Sequence, residues 1–204
     1  MGYTTDFSGR FELNKQLSPK MAQYLKLFNE TRRMKRNTDE VFGVQGEFFV
    51  FGGGDFGQNH EPNIIDYNEP PATQPSLWNQ WTPSDDLMAI EWDCGEKFYN
   101  YTEWLVYLIH KILAPNGYVL NGVVTWQGEE TGDVGEIFVE NNRVFTQEWK
   151  GSKQEVTPKT ASKFGRENGN FVDVKDFMRT DIVLVLEGTD TELSSGVVGL
   201  LENN

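Results

Sequence analysis

The chain has 204 residues, 38% hydrophobic and 13% aromatic, and its 31 acidic residues against 18 Lys and Arg give a formal net charge of −13. This is the composition of a folded protein long enough to bury a substantial core, and the charge excludes broad contact with the phosphate backbone of duplex nucleic acid. No run of about eighteen apolar residues occurs, so no membrane span is expected.

The single cysteine, Cys94, leaves no partner for an intramolecular disulfide and suits a reducing cytoplasm, the expected compartment. Residues 1–6 carry neither a basic region nor an apolar core, so no secretory signal is expected. The acidity itself has two readings, solubility or a surface that docks on a basic partner protein.

In chain order, Phe7–Leu13 reads as a first strand with Gly9 in place for a bulge. Ser18 and Pro19 announce a helix as cap and first-turn residue, and Met21, Tyr24, Leu25 and Phe28 form its buried face. The basic stretch Thr31-Arg32-Arg33-Met34-Lys35-Arg36 reads as the end of that helix. A long insertion, residues 37–76, follows. It holds the β-prone run Glu47–Phe51, a glycine-rich loop from Gly52 to Gln58, and an extended loop of residues 61–76 with Pro62, Pro70, Pro71 and Pro75, anchored by Ile64, Ile65 and Tyr67.

Leu77–Trp81 and Met88–Trp92 then read as a hairpin closed by Thr82–Asp86. A capping box of Asn100 and Glu103 opens a second helix. Tyr101, Trp104, Leu105, Leu108, Ile109 and Ile112 make its apolar stripe, and Asn116-Gly117 ends it. Strands Gly122–Gln127 and Gly135–Val139 follow, joined by the acidic turn Gly128–Asp133.

The order β-α-β-β-α-β with one further strand is that of a ferredoxin-like split β-α-β sandwich, an α+β fold with two helices on one face of an antiparallel sheet. This domain is expected to span residues 1–147, with residues 148–204 as a C-terminal extension. In the extension, residues 150–170 are polar and read as a linker or long hairpin, and Val172–Met178 as a short helix. Asp181–Leu186 is a strand apolar on both faces, which suits pairing with a second copy in a homodimer or extending its own sheet.

Arg32, Arg33, Lys35 and Arg36 place four cations in six residues of an acidic chain. They either complement a helix C-terminus or form an anion site, since arginine forks match phosphate and carboxylate. At helical spacing Arg32 and Arg36 share a face. Gly52, Gly53 and Gly54, with Gln58 close behind, let backbone amides approach an anion; no Walker lysine follows, so a flexible turn is the other reading. Trp78, Trp92 and Trp126 are either core residues or stacking platforms for a base or sugar.

The expected ligand-binding set is therefore Arg32, Arg33, Lys35, Arg36, Gly52, Gly53, Gly54, Gln58, Trp78 and Trp92, and its expected partner is a small anionic ligand. Glu91 and Asp93, two apart on one strand, and His60 in the insertion are the acid/base or metal candidates, while His110 reads as a structural helix residue. No cofactor is expected, because no metal-ligand or serine-hydrolase spacing is present.

The segments Gly2-Tyr3-Thr4-Thr5-Asp6-Phe7, residues 31–36, Asp66-Tyr67-Asn68, Leu77-Trp78-Asn79-Gln80-Trp81, Ile90-Glu91-Trp92-Asp93 and Leu120-Asn121-Gly122 resemble a family of small bacterial and phage proteins of no established activity. The likeness covers residues 2–144. It implies a prokaryotic or viral origin and no particular chemistry.

The expected function is a non-enzymatic binding protein that presents the insertion and the basic stretch to a small anionic ligand or a partner protein; in a phage, such a protein would be expected to inhibit or sequester a component of host defence. One alternative is a metal-dependent nucleotide or phosphoester hydrolase using Glu91 and Asp93. Another is a structural or assembly protein whose C-terminal strand pairs with another subunit.

Overall fold

A computed structural model describes residues 2–51, 55–58, 61–149 and 151–157. They form two compact units, residues 2–17 with residues 79–157, and residues 18–78. The chain is an α+β protein with a mostly antiparallel sheet and two α-helices.

The first unit carries the sheet. Its strands are β1 (Thr5–Leu13), β4 (Trp81–Pro83), β5 (Ala89–Trp92), β6 (Leu120–Gly128), β7 (Val134–Glu140), β8 (Arg143–Glu148) and β9 (Gln154–Val156), ordered β4-β5-β1-β6-β7-β8-β9. The expected ferredoxin-like split β-α-β sandwich is not confirmed, because the sheet has seven strands and the element order of that sandwich supplies four. Sequence reading ended the sheet near Val139; β8 and β9 continue it, and the described part of the polar segment beyond Lys150 is thus a hairpin strand.

Alternation decides which side chains enter the core. On β1, Phe7, Phe11 and Leu13 are buried while Asp6, Ser8 and Glu12 are exposed. The β1–β6 register is unbroken from Thr5 opposite Gly128 to Leu13 opposite Leu120, so Gly9 marks no bulge. Its φ of 106° and the 2.8 Å that would separate a Cβ there from the Val123 carbonyl oxygen show strands too close for a side chain. Phe7 meets Trp81, Trp92, Phe98 and Tyr101 edge to face, with ring centroids 4.8–5.9 Å apart.

Helix α2 (Tyr101–Leu108) continues through a π turn, Ile109–Leu113, and a 3-10 turn, Ala114–Asn116, and Gly117 ends it at φ 73°. It packs on β4 at one edge of the sheet and on β8 and β9 at the other, so the sheet curves around it. The capping box does not form. Asn100 is left-handed (φ 57°) with no side-chain cap bond, and the Glu103 carboxylate accepts from the Thr102 hydroxyl at 2.9 Å. Leu77–Trp81 is likewise not a strand up to Trp81, because Asn79 turns its amide onto the Trp81 backbone in both directions, accepting at 3.2 Å and donating at 2.8 Å.

The second unit holds α1 (Pro19–Glu30), whose cap is as the sequence predicts: Ser18 Oγ accepts from the Met21 N–H at 3.2 Å. The helix stops at Glu30, so the basic stretch is not its last turn. Lys35–Arg36 forms β2, paired antiparallel with β3 (Ile64–Asp66). Glu47–Phe51 is not a strand either. All five residues are buried after two 3-10 turns, Glu40–Phe42 and Val44–Gly46, and Phe42, Phe49 and Phe51 form one cluster. An apolar run without alternation needs cover on every side, which this irregular core provides. Gly52–Gly54, His60, Val172–Met178 and Asp181–Leu186 lie outside the described residues.

Candidate functional site

From Thr31 to Asn37 the backbone abandons the helix and sends four of its amides to carbonyls between residues 56 and 77. Arg32 N–H donates to the Phe56 carbonyl (3.1 Å), Arg33 to Leu77 (2.9 Å), Lys35 to Glu69 (2.9 Å) and Asn37 to Asn63 (2.7 Å). Thr31 closes the helix: its hydroxyl donates to Leu27 O at 2.7 Å and accepts the Phe51 N–H at 2.9 Å. These partners give each amide leaving the helix an acceptor, which a buried chain requires. A helix continuing to Arg36 would have pointed those amides at its own turns.

The side chains of this stretch engage different partners and do not share one point. Arg33 is 2% exposed; its Nη2 donates to Glu47 O at 2.8 Å, its Nε to Gln74 Oε1 at 3.4 Å, and its guanidinium stacks 4.1 Å from the Phe28 ring centroid. Arg36 is also 2% exposed, donates to Gly57 O at 2.6 Å and Asn63 Oδ1 at 2.9 Å, and stacks on Phe49 at 4.3 Å. Both knit the insertion together from inside. Nearby, Tyr24 donates to Phe48 O at 3.2 Å, and burial pushes its phenol pKa up. Lys35 pairs with the Glu69 carboxylate at the surface.

Arg32 differs from its neighbours. It is half-buried, Nη1 donates to Gln58 Oε1 at 2.9 Å and Nη2 to Asn68 Oδ1 at 3.2 Å, and Nε is buried with no hydrogen-bond partner among the described residues. Both partners are neutral carboxamides. Each terminal nitrogen carries two hydrogens and gives one to an amide, so one on each is left for a ligand. Asn68, which the sequence reading missed, is held in turn by its own N–H on Asp66 Oδ1 at 2.8 Å. Beside them Phe56 stands edge-on to Trp78, centroids 5.3 Å apart and planes at 89°. Of the expected ligand-binding set, Arg32, Gln58 and Trp78 are thus gathered around the turn Asp55–Gly57.

Trp92 belongs to the other unit, where its indole N–H donates to Gln80 Oε1 at 3.1 Å and its ring meets Phe7. Trp126 is buried there as well. Glu91 lies on β5, but the strand ends at Trp92; Asp93 closes a turn by accepting the Gly95 N–H at 2.7 Å, so the two carboxylates do not continue one strand face. Among the described residues no group of three or more His, Cys, Asp and Glu side chains is placed to hold a metal ion. His110 falls in the π turn.

No protein-family model matches this chain, and no curated protein or solved structure matches it. No helix among the described residues is long and apolar enough to cross a membrane.

Proposed function

We propose that this is a binding protein for a small anionic ligand and that Arg32 receives the anion. One observation carries the reading. In a chain with 31 acidic residues, the Arg32 guanidinium is oriented by two neutral amide oxygens and has no carboxylate partner among the described residues. A guanidinium fixed in place but not neutralised is preorganised for a phosphate or carboxylate. Arg33 and Arg36 hold the surrounding segment from within, through the Glu47 and Gly57 carbonyls, and Gly52, Gly53 and Gly54, which precede the turn in the sequence, remain candidates for the same anion.

The net charge of −13 repels anions at long range, so affinity depends on contact at Arg32 and not on steering. Thermal-shift titration of the full chain with inorganic phosphate, ribose 5-phosphate and acetate tests the reading. A ligand at a hundred times its Kd stabilises by about 2.7 kcal/mol, a shift of several degrees. That shift is expected in the parent protein and should vanish in Arg32→Gln. No shift with any anion, or equal shifts in both proteins, overturns the proposal.

The sheet unit has a finer reading of its own. The order β4-β5-β1-β6, with α1 following β1 and α2 following β5 in the chain, supports a split β-α-β core to which β7, β8 and β9 are added.

A further inference from the structure

Phe56 has a conformation and an exposure that folding alone does not call for. It is left-handed (φ 54°, ψ 26°), and so is Asp55 before it (φ 61°), a region that bulky L-residues rarely adopt. The strain gains no burial, because Phe56 is 53% exposed. The turn is fixed from within by the Gln58 N–H on Asp55 O at 2.9 Å and by the Arg32 N–H on Phe56 O at 3.1 Å. The residue whose guanidinium awaits an anion thus also holds the exposed ring in place. Trp78 stands perpendicular to that ring at 5.3 Å. Two rings at right angles form a corner that receives a flat group face-on to one and edge-on to the other.

We infer that the ligand is an aromatic anion, a planar ring joined to a phosphate or carboxylate, whose ring stacks on Phe56 while its charge meets Arg32. This rests on the reading of Arg32 as the anion receptor. A nucleoside monophosphate and an aromatic carboxylate share this chemistry, and paired probes separate them. Stacking on one aromatic side chain strengthens binding by roughly tenfold.

Isothermal titration of the full chain is made with AMP against ribose 5-phosphate, and with benzoate against acetate. In at least one pair the ring-bearing probe should bind roughly tenfold tighter, and the pair that shows it identifies the ligand class. Phe56→Ala should erase that advantage while leaving the ringless probe unchanged, and Phe56→Tyr, which keeps the ring, should restore it. Circular dichroism of both variants checks that they fold.

If ring-bearing and ringless probes bind equally, or if Phe56→Ala keeps the advantage, the aromatic inference fails and the anion site stands. If adenosine binds as well as AMP, or if no probe binds, the Arg32 reading fails and takes the inference with it.

Discussion

The sheet unit and the insertion unit satisfy the same physical demand by different means. In the sheet, buried amides and carbonyls pair strand to strand, from β4 across to β9, and side chains are left to fill space. Among the described residues of 18–78 the only ladder is the short pairing of β2 with β3. There, side chains take over: Arg33 caps the Glu47 carbonyl, Arg36 caps that of Gly57, Thr31 bridges Leu27 and Phe51, and Gln74 donates to Glu47 O at 2.6 Å. A loop-rich core can thus be closed by long polar side chains whose heads reach carbonyls and whose planes lie on phenylalanine. The Glu47 carbonyl has two such donors, Arg33 and Gln74, whereas the Gly57 carbonyl depends on Arg36.

The largest effect should therefore follow from removing one of these arginines. Arg36→Met keeps an apolar stem over Phe49 but leaves the Gly57 carbonyl without its charged donor, and unsatisfied buried groups of this kind cost about 3 kcal/mol. Amide hydrogen exchange localises the damage. Protection should fall at Arg32, Arg33 and Asn37 while Val124 and Ile137 in the sheet keep theirs. Equal loss in both units would show that the sheet depends on the insertion's polar scaffold.

A smaller but still global effect is expected in the sheet. Gly135 lies opposite Trp126, and a Cβ there would stand 2.2 Å from the indole and 2.5 Å from the Gln147 carbonyl oxygen. The indole can swing only by leaving its buried position, and the carbonyl belongs to β8, so Gly135→Ala must part strands or expel the ring. Overpacking of this order costs about 2 kcal/mol, read as a lower urea midpoint with all sheet amides affected together. An unchanged midpoint would show that Trp126 relocates freely and is not a fixed part of the core.

How legible each unit was in the sequence follows from the same contrast. β1, β5, β6 and β7 alternate apolar and polar residues, so period alone found them to within a few residues, and Ser18-Pro19 marked the start of α1 to the residue, while its end was read six residues too late. β8 escaped because its alternation is masked by Arg143 and Gln147 and only Val144 is fully buried. The run Glu47–Phe51 misled because β-propensity describes a half-buried surface, whereas this segment is buried all round. At the site, Arg32 and Gln58 were visible as residue types of the right chemistry. Asn68 was not, because nothing in the spacing of residues 32 and 68 shows that β2 and β3 bring those strands together. The inward turn of Arg33 and Arg36 was equally hidden, since an arginine on a helix end and one threading a core look alike in a sequence.

The smallest effect concerns acid. Asp86 closes the β4–β5 hairpin: its carboxylate accepts from Ser84 Oγ at 2.6 Å, from the Met88 N–H at 3.0 Å and from Arg10 Nη1 at 2.9 Å. The serine bond leads in holding its pKa down at about 2 against an ordinary 3.8, followed by the Met88 amide and the arginine. A folded pKa below the unfolded one means that the folded state resists protonation. Its contribution is complete above the ordinary value and is lost as pH falls through about 2. Because the group is exposed, the contribution is modest and its Arg10 share is screened by salt. Between about pH 4 and pH 2 the urea midpoint of the parent protein should drop more steeply than that of Asp86→Asn. At high salt most of that difference should persist, since the Ser84 and Met88 bonds are short-range. Parallel slopes in the two proteins would mean that the hairpin closes as well around a neutral side chain, and that backbone pairing alone holds this edge of the sheet.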